Sequence, residues 1–191
     1  HHRSSAASDV YKRQLRYEWF EALVQKKHYD WVLTAHHADD NIETLLINIT
    51  RGTGIEGLTA IPKQNGKILR PLLKYYKSEI VDYAKTLGIE WRDDRSNQSD
   101  DYTRNIIRHH LIPQLTKLHP KALENTSKTI ELTKEAISVI HKQIEEFRNE
   151  LFQIREDVTH IPIKSLKTLQ PLSFWIHQLF SICGFDQGEV I

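Results

Sequence analysis

WVLTAHHADDNIETLLINITRG, residues 31–52, is the stretch on which the fold turns. Trp31-Val32-Leu33-Thr34-Ala35 is a short apolar run of strand type, bounded by polar residues. Behind it, Ile42, Leu45, Leu46 and Ile49 recur at helical spacing, with Asp39 or Asp40 suited to cap the start and Gly52 to stop the end. Working outward, ILRPLL (residues 68–73) reads as a second strand, Ser78 opens a helix (EIVDYAKTL) that Gly88 closes, and Ile89-Glu90-Trp91 reads as a third strand. This alternation predicts an α/β fold carrying part of a doubly wound parallel sheet.

Upstream, LRYEWFEALVQKK places Tyr17, Phe20, Leu23 and Val24 on one helical stripe. Residues 1–14 (HHRSSAASDVYKRQ) show no apolar periodicity and are expected to be a non-native segment outside the fold. After Asp101 the pattern turns all-helical: YTRNIIRHHLIPQL reads as a short helix ended near Pro113. A long helix over 120–152 follows, with Ile130, Thr133, Ile137, Ile140, Ile144, Phe147 and Leu151 along its seam, and a last helix runs from Ser173 to Cys183. The expected organisation is therefore 1–14, a sheet-bearing part over 15–116, and a helical region over 117–191.

Composition narrows the class. Among 191 residues, 26 Lys and Arg face 25 Asp and Glu, a net charge of +1, so any polyanionic partner must be held by local patches. With 39% hydrophobic and 27% charged residues the chain has the make-up of a globular protein. The single cysteine, Cys183, excludes an internal disulfide framework, a CxxC pair and a multi-cysteine zinc site. No apolar run approaches the roughly 18 residues of a membrane span, so a cytoplasmic location and no membrane partner are expected. The absence of methionine and the His1-His2-Arg3 opening read as a piece of a longer chain.

In open parallel sheets, sites lie beyond the carboxyl ends of the strands, where His36-His37-Ala38-Asp39-Asp40 falls. On a helix starting near His36, the residues His36, Asp40 and Glu43 share one face, able to hold a cation or amine or to act as a base. The competing reading of Asp40-x-x-Glu43 is a capping box with Asp40 at the cap. Gly52, Gly54 and Gly57 match G-x-G-x-x-G, but they follow a helix rather than a strand, which argues against a dinucleotide site and for a plain turn. A third cluster runs from Trp91 through Arg92-Asp93-Asp94-Arg95-Ser96-Asn97 to Arg104-Asn105-Ile106-Ile107-Arg108. Arg104, Asn105 and Arg108 project from one side of a helix toward phosphate or developing negative charge, with Ile106 and Ile107 expected toward the core.

Taken in order, TAHHADDNIETLLINITRGTGIEGL, ILRPLL, EIVDYAKTLGIEWRDDRSN and YTRNIIRHHLIPQL resemble the bacterial tRNA(Ile)-lysidine synthases over residues 15–115. The resemblance implies an N-type ATP pyrophosphatase domain of the adenine nucleotide alpha hydrolase-like kind, of which 15–116 would be the C-terminal part. It implies ATP with Mg2+, free L-lysine, and the isoleucine tRNA with a CAU anticodon as partners, and leaves a homodimer open. ATP would adenylate carbon 2 of the wobble cytidine through its oxygen, and the lysine side-chain amine would then displace AMP. On this resemblance Asp40 and Glu43 hold and deprotonate the amine, and Arg108 stands near the reacting base. His36 and Asp39 support nucleotide or metal, Arg51 and Arg70 are phosphate contacts, and Arg104 and Asn105 bind substrate.

One departure stands out. The family's S-G-G-x-D-S phosphate loop does not occur, since none of the seven glycines are adjacent. The chain by itself is therefore expected to be inactive and to bind ATP poorly. Two other readings remain at this stage: a PP-loop sulfur transferase, against which the lone Cys183 counts, and a phosphohydrolase with a metal on His36, His37, Asp39 and Asp40. A helical interaction module over 120–191 is the bland alternative.

Overall fold

The computed structural model describes residues 2–92, 100, 102–156 and 158–184. The chain divides into two units, His1–Glu131 and Leu132–Ile191. In the first, helix α1 (His2–Lys27) includes residues set aside on sequence grounds. It ends without a glycine: His28 takes φ 54°, and the Tyr29 N–H returns to the Val24 carbonyl at 3.1 Å.

Strand β1 (Val32–Leu33) leads into α2 (Ala38–Thr50), as the apolar run and the helical stripe predict. After a 3-10 turn (Ile55–Thr59) come β2 (Gln64–Asn65), β3 (Ile68–Leu69) and α3 (Lys77–Thr86). The sheet order is β1-β3-β2. β1 and β3 are parallel, Val32 opposite Ile68, with the Val32 N–H bonded to the Lys67 carbonyl at 2.9 Å and the Thr34 N–H to the Leu69 carbonyl at 3.0 Å. This β1–α2–β3 connection is the predicted parallel unit.

The sheet differs from expectation in two places. β2 pairs antiparallel with β3 through the two-residue loop Gly66-Lys67, where Gly66 takes φ 54°, the left-handed conformation such a loop requires. The third expected strand, Ile89-Glu90-Trp91, joins no sheet. Its side chains stay exposed, so alternation alone had no partner strand to act on.

The polar side chains of α2 stitch down the loop that follows it. Buried Asn41 accepts the Ile61 N–H at 2.8 Å, and Asn48 donates to the Gly57 carbonyl at 2.8 Å. The glycine-rich loop is thus the helix-to-strand turn expected, and Gly57 is required by close approach: a Cβ there would stand 1.7 Å from Thr53 Oγ1.

Pro113 does not end its helix. α4 (Thr103–Ile106), a π-helical turn (Ile107–Leu111) and α5 (Ile112–Leu118) run on continuously, with Pro113 in the first turn of α5. The wider turn upstream accommodates a residue that cannot donate to the preceding carbonyls. Ile107 is buried as expected, whereas Ile106 is 44% exposed. α4 and the π turn both pack on α2.

α6 (Ala122–Leu151) buries Ile130, Ile137, Ile144 and Leu151, a seven-residue repeat along one face. In the first unit, the Tyr76 hydroxyl at the head of α3 donates to Ser127 on α6 at 3.1 Å. The second unit is not all-helical: Gln153–Arg155 (β4) and Val158–His160 (β5) form an antiparallel ribbon, with Ile154 opposite Thr159. Gln153, Ile154 and all of β5 are exposed, leaving no buried-face alternation there for the sequence to display. α7 (Ile163–Leu166) and α8 (Leu172–Phe180) complete a core of Ile144, Leu151, Leu169 and Leu179. No described helix is long and apolar enough to cross a membrane.

Gly57→Ala should lower stability by about 1–3 kcal/mol, because the Thr53 branch must move. Urea denaturation measures the loss, and Thr53→Gly in the same chain should recover most of it.

Candidate functional site

The site is built where β1 hands over to α2. His37 is the N-cap residue, in extended backbone at φ −124°, so the capping register differs from the expected Asp39 or Asp40. The Ala38 N–H is taken by the Tyr75 carbonyl at 2.8 Å, which fixes the first helical residue. Asp40, three residues after the cap, accepts the His37 N–H on Oδ2 at 3.0 Å. Asp39 Oδ2 accepts the Lys77 N–H at 2.8 Å, tying the heads of α2 and α3 together. Asp39 and Asp40 also lie where the helix dipole favours negative charge.

Glu43, one turn on, is 0% exposed. A carboxylate cannot be buried without compensation, and here α4 and the π turn provide it. Arg108 Nε donates to Glu43 Oε1 at 2.6 Å and Nη2 to Oε2 at 3.0 Å, a two-pronged pairing across 65 positions of sequence. The same Nη2 lies 3.6 Å from Asp40 Oδ1, and Arg104 Nε lies 3.5 Å from Glu43 Oε2. Arg104 is held further by Thr44, whose hydroxyl accepts from Nη2 at 3.0 Å and donates to the Asp40 carbonyl at 2.8 Å. The structure thus brings together Asp40, Glu43, Arg104 and Arg108.

Charge placement sets the titration. Burial pushes the Glu43 carboxyl upward, against the opposing pull of Arg108. The Glu43 carboxylate in turn raises Arg108, against its own burial. His37 Nδ1 lies 3.2 Å from Asp39 Oδ2, and Nε2 lies 3.5 Å from Asp40 Oδ2. The Asp39 carboxylate raises the His37 pKa above that of a free imidazole; burial works the other way, and Asp40 and Glu43 add to the rise. For Asp39, burial works upward, but His37 and the Lys77 N–H outweigh it and lower the pKa.

The other sequence candidates sit elsewhere. His36 precedes the helix, so the shared face with Asp40 and Glu43 does not form; its Nδ1 pairs with Thr34 Oγ1 at 2.9 Å. Arg51 is the C-cap of α2, roughly 16 Å along the axis from Asp40 by helical rise. Arg70 is 3% exposed and donates to the Pro62 carbonyl at 2.7 Å and toward the Tyr17 hydroxyl at 3.5 Å, inside the unit. Asn105 is buried beside Arg104. Residues 93–97 of the third cluster lie outside the described residues.

Sequence reasoning missed Thr44, although a threonine four residues after Asp40 on a helix is placed to bond that residue's carbonyl. It weighed His37 only as a metal ligand. Among the described residues no three His, Cys, Asp or Glu side chains are placed to hold a metal ion. His37 is engaged with Asp39 and Asp40 instead, so the phosphohydrolase reading finds no ligand set.

Residues 4–115 match the family of the PP-loop domain. The chain is 35% identical over 187 residues to the tRNA(Ile)-lysidine synthase of Porphyromonas gingivalis, covering 97% of this chain and 40% of that protein. It is 35% identical over 184 residues to the enzyme of the same name from Bacteroides thetaiotaomicron, covering 93% of this chain and 43% of that protein. Against the one from Chlorobaculum tepidum it is 46% identical over 101 residues, 53% of this chain and 30% of the relative. The chain spans about two fifths of the length of the first two.

Because His37 titrates higher in the folded chain than when unfolded, its stabilisation is present below the ordinary imidazole pKa and lost as pH rises through the raised value. His37→Asn, which keeps a capping residue, should flatten the fall in denaturation midpoint between pH 6 and pH 8. Equal slopes in the two proteins would contradict this.

Proposed function

The chain belongs to the PP-loop domain family, and on that premise we propose that it is part of a tRNA(Ile)-lysidine synthase. The reaction ligates free lysine to the wobble cytidine of the isoleucine tRNA with a CAU anticodon, in the cytoplasm. ATP adenylates the oxygen on carbon 2 of that base and releases pyrophosphate. The lysine amine then attacks carbon 2; a carbon–nitrogen bond forms, the carbon–oxygen bond breaks, and AMP leaves. The relatives' shared name supports this reading, as does one feature of the site: two carboxylates and two arginines meet beyond the carboxyl end of β1.

The chemistry of those groups suits the second step. An ammonium is not a nucleophile, and attack requires its proton to be taken up nearby. Asp40 holds the ammonium by charge, and Glu43, whose carboxyl burial pushes upward, takes up its proton. Arg108 meets the negative charge of the phosphate that links AMP to the base and then departs with the AMP. Asp39, spent on the Lys77 N–H and His37, acts as a brace for the head of α2 rather than as a ligand. Magnesium enters with the nucleotide phosphates; the described residues build no resident site for it.

The test is lysine-dependent AMP release by the chain extended to its relatives' full length. Asp40→Ala and Glu43→Ala should abolish lysine transfer, a loss of about a hundredfold or more, while pyrophosphate release continues. Equal loss of both steps would remove the lysine site from these residues.

A further inference from the structure

We propose that Arg108 is an exchangeable counter-ion: its guanidinium holds the Asp40–Glu43 pair until a primary alkylammonium, the lysine side chain, replaces it. This rests on the lysine reading of the site and adds how the site is closed before lysine arrives and what opening it accomplishes.

Access carries the first part of the argument. Glu43 is 0% exposed and Asp40 only 13%, whereas the Arg108 and Arg104 side chains are 29% and 37% exposed. Both Glu43 oxygens bond to Arg108, and Asp40 divides its oxygens between the His37 N–H and the approach of Arg108 Nη2. An amine arriving from solvent therefore meets Arg108 at the place it has to occupy.

Charge carries the second part. Asp39, Asp40 and Glu43 face Arg104, Arg108 and the His37 imidazole, a set whose charges match when His37 is protonated. A further cation added to that set is repelled, and like charges this close are costly when desolvated. Exchange of one cation for another preserves the balance. Arg104 is the cation that stays, since Thr44 anchors it and is itself anchored to the Asp40 carbonyl. Arg108 is the one that leaves, from a π turn, a geometry that departs from the regular helix at that point.

The consequence is a coupling. Lysine binding and the release of Arg108 become one event, so the arginine that meets the phosphate of the adenylated base is delivered only when the nucleophile is in place. In the free chain, the paired state taxes lysine affinity by the fraction of molecules in which Arg108 has already swung away.

Two measurements test this. Calorimetric titration of L-lysine into the chain and into Arg108→Gln should show binding tighter in the variant by about tenfold, the competitor having been removed. In 15N-arginine-labelled wild type, the Arg108 Nε–H resonance, identified by its absence in Arg108→Lys, should broaden or vanish at saturating lysine. That readout stands whether or not Arg108→Gln folds. Lysine that binds with the Nε–H signal unchanged, or with equal or weaker affinity in a folded Arg108→Gln, overturns the exchange and leaves the lysine site intact. Lysine binding that Asp40→Asn and Glu43→Gln leave unaltered, or no binding to any of these proteins, overturns the site reading and the exchange with it.

Discussion

The buried pair of Glu43 and Arg108 is the constraint on which the candidate site depends. A carboxylate with no solvent access is tolerated only with its charge matched and its oxygens bonded. Matching it obliges the α4–π turn segment to lie on α2, with Arg104 and Arg108 both directed at the same carboxylate. Because the partners are 65 positions apart, the pair also makes the site a property of the folded first unit rather than of any one motif.

The head of α2 is fixed by a second set of bonds that spares Glu43. Ala38 and Asp39 are tied to the start of α3 through the Tyr75 carbonyl and the Lys77 N–H, while His37 leans on Asp39 and Asp40. Asp39 is thereby a strut, and Asp40 is the hinge between the two sets, bonded to the His37 N–H on one oxygen and near Arg108 on the other. Three acidic residues in five positions are thus given different tasks by their neighbours, not by their chemistry.

Much of this was legible before the fold was known, and the losses have physical causes. The apolar run before His36 and the stripe from Ile42 to Ile49 mark β1 and α2 by local pattern, and Ile42 and Leu45 are buried, whereas Val32 is half-buried and Leu33 and Ile49 stay exposed. The spacing of Arg104 and Arg108 predicts that they project together. Their target was not readable, since pairing residue 43 with 108 is a tertiary event. The cap slipped from aspartate to His37 because the Tyr75 carbonyl, far along the chain, claims the first helical N–H. Pro113 read as a stop because sequence pattern carries no signal for a π turn. Gly66, at the first position of the two-residue β2–β3 loop with φ 54°, is the hairpin signal the sequence carries there.

The account stands on energetic coupling between α2 and α4 through Glu43 and Arg108. A double-mutant cycle of Glu43→Gln and Arg108→Gln, read by urea denaturation, measures it directly. The predicted result is an interaction energy above about 1.5 kcal/mol, each single change costing more than its share of the double. Additivity within about 0.5 kcal/mol would contradict the account.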